Sequence, residues 1–130
     1  MRSKAKSVVK VVELGCVGHC VVGHLCHWHR HSQIGDFYRV SSIGDYYPDG
    51  KNGKRDTLGA SDDSFFETMV FETFSAQDHK NEGCGCRAVK SWSEIDCERY
   101  ATHGEAQAGH ERYVCKYLKM ARPQRAKRTA

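Results

Sequence analysis

The stretch from Phe65 to Phe74, Phe-Phe-Glu-Thr-Met-Val-Phe-Glu-Thr-Phe, constrains the fold most. Aromatic and β-branched side chains fit a pleated, half-buried surface and make this a strand. Alternation sends Phe65, Met69 and Phe71 to one face and Phe66, Val70 and Phe74 to the other. A strand that is apolar on both faces needs cover on both, so it belongs in the middle of a sheet.

Its neighbours follow from similar signals. Residues 37–43, Phe-Tyr-Arg-Val-Ser-Ser-Ile, read as a first strand. Pro48, Asp49-Gly50 and Asn52-Gly53 supply dense turn chemistry and predict a hairpin, with Lys54 to Leu58 as a short return strand. Trp92 to Tyr100 reads as another extended segment. Thr102 followed by Glu105 makes a capping box, in which each side chain satisfies the other's free backbone N–H, and it opens a helix over about 103–121. At about 100° per residue, Ala106, Gly109, His110, Tyr113, Tyr117, Met120 and Ala121 share one face with Val114 at its edge. Cys115 falls on the opposite, charged face. The fold class is therefore α+β: a small antiparallel sheet of three to four strands with one C-terminal helix packed on one face. The 130 residues suit one domain, expected over 33–121, after an extension over 1–32 that is irregular or weakly helical and before a basic disordered tail over 122–130.

Charge is divided unevenly. Four basic residues lie in 1–10 and five in 119–130, without an acid in either, so the net charge of +4 conceals a mildly acidic body between basic ends. Such ends serve as solubilising tails, or they hold nucleic acid or an acidic surface by screened attraction. Seven cysteines is an odd count without a framework spacing, which fits a reducing compartment and a cytoplasmic location. Lys10, Glu13, His19 and His24 break the apolar run near the start, so neither a secretory signal nor a membrane span is expected.

Metal chemistry has one candidate constellation. Cys16, Cys20, Cys26 and His27 in the early Cys/His-rich stretch, with Cys84 and Cys86 from the Gly83-Cys84-Gly85-Cys86 turn, offer the thiolate and imidazole donors that zinc takes in a tetrahedron. On a helix over 16–31, Cys16, Cys20, His24, His27 and His31 would share one sector, but Gly15, Gly18 and Gly23 weaken that helix. The alternative is that these residues meet metal only adventitiously, so zinc is a possible cofactor and no other is expected. Cys84 and Cys86 lack the two-residue gap of redox motifs. His110 reads as a hydrogen-bonded core or boundary histidine, with a general base as the alternative. Glu94, Asp96 and Glu98 alternate on one strand face, which reads as solvated. No phosphate loop, nucleophile elbow, paired-histidine motif or calcium loop is present in the sequence, and no catalytic residue is assigned.

The segments Phe-Glu-Thr-Met-Val-Phe (66–71), Ser-Glu-Ile-Asp-Cys-Glu-Arg-Tyr-Ala-Thr (93–102) and Gly-Glu-Ala-Gln-Ala-Gly-His-Glu-Arg (104–112) resemble small uncharacterised proteins of tailed bacteriophages and prophages. The resemblance covers about 37–118 and leaves out the Cys/His-rich start and the basic tail. It implies a non-enzymatic accessory protein that binds a protein partner from phage or host, in the host cytoplasm. The competing reading is a zinc-stabilised nucleic-acid binder that uses the Cys/His stretch and the basic ends.

Overall fold

The computed structural model describes residues 9–15, 23–50, 52–59, 61–75 and 86–121. They form a five-stranded antiparallel sheet and one helix. The strands are β1 (Val11–Leu14), β2 (Cys26–Ile34), β3 (Tyr38–Tyr46), β4 (Phe66–Glu72) and β5 (Asp96–Tyr100), followed by α1 (His103–Ala121). Their order in the sheet is their order in the chain, a plain meander. The α+β class with a C-terminal helix on one face is as expected, but the sheet has more strands than the three to four predicted.

The additional strands come from the start of the chain. Val11–Leu14 and Cys26–Ile34 are strands, not the irregular or weakly helical extension expected over 1–32, and the boundary drawn at residue 33 falls inside β2. The reason is visible in β2. Cys-His-Trp-His-Arg-His-Ser-Gln-Ile has no apolar alternation, because its inward side chains are polar groups that find partners only in the folded sheet. Ile34 pairs with Tyr38 across the turn at 35–37, where Gly35 adopts a φ of 56°. The expected return strand over Lys54–Leu58 is reduced to one bridge, Tyr46 to Asp56, and β3 pairs instead with β2 on one side and β4 on the other.

The helix begins where the capping box predicts. Glu105 N–H donates to Thr102 Oγ1 at 3.2 Å and Thr102 N–H donates to Glu105 Oε1 at 3.1 Å. α1 lies across the face carrying Ile34, Val40 and Val70, which pack with Val114 and Tyr117. Phe66, Tyr100 and Ala106 form a second apolar cluster toward the helix start. Two glycines allow the close fit: a Cβ on Gly44 would overlap the Phe66 ring, and one on Gly109 would overlap the Tyr100 phenol. The other sheet face is covered too, with Ile43, Phe71, His31 and Arg39 all buried and Trp92 standing edge-on against Phe71. The β4 strand is thus enclosed on both sides, as its double apolar pattern requires.

Candidate functional site

The sequence-designated metal candidates do not converge within the described part. Cys16, Cys20 and Cys84 lie outside the described residues. Cys26 and His27 are adjacent in a strand, so their side chains leave opposite faces of β2. Burial, with Glu67 and Asp45 nearby, pushes the Cys26 thiol up to about 12. His27 stacks on Tyr47 with ring centroids 4.1 Å apart. Cys86 is half-buried in the segment leading to β5. Among the described residues, no group of three or more His, Cys, Asp or Glu side chains is placed to hold a metal ion.

The sheet and helix instead enclose a chain of polar groups. His110 is fully buried and bonded at both ring nitrogens, Nε2 to Ser32 Oγ at 2.8 Å and Nδ1 to Ser42 Oγ at 2.6 Å. Ser32 Oγ–H donates to Glu13 Oε2 at 2.6 Å. That donation obliges Ser32 to accept from His110, so Nε2 carries the proton and Nδ1 accepts from Ser42. Ser42 Oγ in turn accepts from Thr68 Oγ1 at 2.6 Å, and Thr68 Oγ1 accepts from Tyr100 O–H at 3.1 Å. Every proton in the line points toward Glu13.

Electrostatics support that single tautomer. Burial, aided by the Arg30 charge, lowers the His110 pKa to about 4, so the ring is neutral at pH 7. At the end of the line, burial pushes Glu13 up, but bonds from Ser32 and from Arg30 Nε at 3.1 Å outweigh it and hold the carboxyl below its ordinary value. Arg30 also donates to Glu111 Oε2 of α1 at 2.6 Å. Ser32 and Ser42 are both 0% exposed, which leaves no approach for a substrate to a serine beside this histidine. The His110 assembly therefore acts as a locked interior, as the core-histidine reading expects, with no general-base geometry. Its partners were missed because Ser32, Ser42 and Thr68 are unremarkable singly. The usable signal was a hydroxyl residue at mid-strand beside apolar same-face neighbours, Val40 next to Ser42 on β3 and Phe66 and Val70 on either side of Thr68 on β4.

The two edges of the sheet differ in chemistry. On β5, Asp96 accepts from Lys116 Nζ at 2.7 Å, Tyr117 O–H at 2.9 Å and Tyr113 O–H at 3.2 Å, Glu98 pairs with Arg112 at 2.7 Å, and Arg99 pairs with the buried Glu67 at 2.8 Å. The Lys116 ammonium is the chief cause that keeps the Asp96 carboxyl below its ordinary value. Asp96 and Glu98 are thus helix staples, whereas the sequence presents them as part of a solvated face. Charges of this kind protect an edge. On β1, Val11 is 37% and Val12 51% exposed. Gly35 N–H donates to Lys10 O at 2.9 Å, so antiparallel alternation turns the main-chain groups of Lys10, Val12 and Leu14 toward β2 and those of Val11 and Glu13 outward. Within the described residues, nothing pairs with that outer side. A cleft of about 380 Å³ opens beside it, bounded by Val12, Lys10, Gln33, Phe37, Arg87 and Ala121.

No family model, curated protein or solved structure matches the chain. Among the described residues no helix is long and apolar enough to cross a membrane.

Proposed function

We propose that the chain is a small accessory protein of phage or prophage origin that acts by binding a protein partner, not by catalysis. The phage origin rests on the resemblance of 66–71, 93–102 and 104–112. The binding role rests on one observation, the outer side of β1: two residues direct main-chain N–H and C=O groups away from the sheet beside exposed Val11 and Val12. An extended segment of a partner adds there as a sixth strand, with the main chain supplying affinity and the valines selecting apolar side chains. The fully buried serines around His110 favour this over a hydrolytic role.

The test uses Val11→Pro, which removes one outward N–H and keeps every bond from β1 to β2. Wild-type protein and the variant are immobilised and exposed to lysate from infected cells, with Lys119→Glu on α1 as a surface control. A protein retained by wild type and the control but lost by Val11→Pro supports strand addition. Equal retention by all three, or no specific retention, defeats it.

A further inference from the structure

The outer side of β1 is symmetric about Val12. Its outward main-chain groups belong to Val11 and Glu13, one residue on each side. An antiparallel ladder alternates residues that exchange both bonds with residues that exchange none. A second β1 laid antiparallel, with Val11 opposite Glu13, therefore answers the outward N–H and C=O of both residues on each strand and sets Val12 opposite Val12 on a two-fold axis. Sliding the strands two residues in one direction puts Glu13 opposite Glu13, where like charges repel. Sliding them the other way leaves only the Val11 groups paired within β1. In one register, then, the strand is its own complement.

Charge agrees with that register. At the start of β1, Lys10 lines the cleft together with Arg87 and Asp36, two cations against one acid. Toward its end, Glu13 and Glu111 share Arg30, two acids against one cation. Antiparallel pairing brings the positive end of each copy beside the negative end of the other. Along the seam no like charges oppose: Lys10 falls opposite Leu14 and Glu13 opposite Val11, and each Glu13 carboxylate is already turned to Ser32 and Arg30. The apolar side chains fit too. Val12, 51% exposed, meets its own copy on the sheet face away from α1, and Leu14 of each copy reaches the mouth of the other's cleft beside Lys10.

We propose that the β1 edge is occupied by a second copy of this chain, so that two five-stranded sheets run on as one across a two-fold axis at Val12. The proposal rests on the reading of β1 as a strand-accepting edge and adds an occupant to it. β5 offers no such seam, because Asp96, Glu98 and Arg99 hold charge along it. The β1 seam is short, which makes the dimer weak and exchangeable. A strand from another protein competes with the second copy for this edge, so its apparent affinity falls as the concentration of this chain rises.

The full chain is followed by sedimentation equilibrium in reducing buffer from about 1 μM to about 1 mM, the range that suits a small interface. Wild type is expected to pass from the chain mass of 14.7 kDa to twice that value. Val11→Pro, which loses an outward N–H, and Val12→Lys, which sets two ammonium groups on the axis, should each raise the dissociation constant at least about tenfold with an unchanged circular dichroism spectrum. Opposed residues that exchange no bonds have Cα atoms about 4.5 Å apart, within reach of a disulfide. Mild oxidation of Val12→Cys should therefore link the two substituted positions, read by mass spectrometry of the joined peptides, and Val11→Cys should link to its copy in lower yield. Wild type that stays at the chain mass throughout, a dimer untouched by both Val11→Pro and Val12→Lys, or no disulfide between the substituted positions in Val12→Cys would each overturn the dimer. A monomeric wild type that still retains a lysate protein through β1 overturns the dimer alone, whereas a β1 dimer that retains none supports it and defeats the binding of another protein.

Discussion

His110 illustrates how one side chain ties pH to stability. Its pKa is about 4 in the folded protein against an ordinary 6.5. Between those values the unfolded chain binds a proton that the folded one refuses, so stability is complete above pH 6.5 and falls as the pH drops toward 4. At about 1.4 kcal/mol per pKa unit the loss approaches 3 kcal/mol. Urea denaturation at pH 7 and pH 4.5 measures it, and His110→Gln should flatten that part of the profile. Gly109 offers a different residue-scale test. Alanine normally stabilises a helix interior by up to about 1 kcal/mol over glycine. Here the added methyl meets the Tyr100 phenol. Overpacking costs about 1–3 kcal/mol and wins, so Gly109→Ala should lower the midpoint of denaturation.

At the level of elements, α1 was the most legible, because its signals are local: a capping box that opens two residues after β5 and a 3.6-residue pattern. Thr102→Ala should cost about 1 kcal/mol through the lost cap, read as a lower melting temperature. The β4 strand was equally clear, since its apolar residues announce burial without reference to any partner. β2 was not, because His31, Ser32 and Gln33 are buried only by virtue of Ser41, His110 and Thr73, which are remote in sequence. The polar side chains about the candidate site were hidden for the same reason. Gln33 and Arg39 look like ordinary surface residues until the register sets them side by side. β1 carries its own prediction: Val11→Pro removes no bond to β2, so it should change stability by less than about 1 kcal/mol while removing partner retention. Denaturation of the purified variant beside the retention assay separates those effects.

Across the whole molecule, α1 connects parts of the sheet that no strand connects directly. Glu111 reaches Arg30 of β2, which also holds Glu13 of β1, while Arg112 and Lys116 reach Glu98 and Asp96 of β5. The meander alone bonds only chain neighbours. Screening of these exposed pairs by salt should have only a modest effect, within about 1 kcal/mol per pair. Breaking the linkage at its buried centre with His110→Ala should cost about 3 kcal/mol, because Ser32 and Ser42 then lose their shared partner around a void. Comparing urea midpoints in low and high salt with that of the variant distinguishes the two contributions.

The place of α1 after all five strands also sets an order of assembly on the ribosome. Each hairpin has its partner as soon as it emerges, yet Ile34, Val40 and Val70 have no cover from Val114 and Tyr117 until α1 is made. The nascent sheet therefore passes through an interval in which an apolar face and its serine stripe stand open to water. Docking of the helix, once it has left the exit tunnel, closes that interval, and exposed apolar surface of this kind is what makes incomplete folds prone to aggregate.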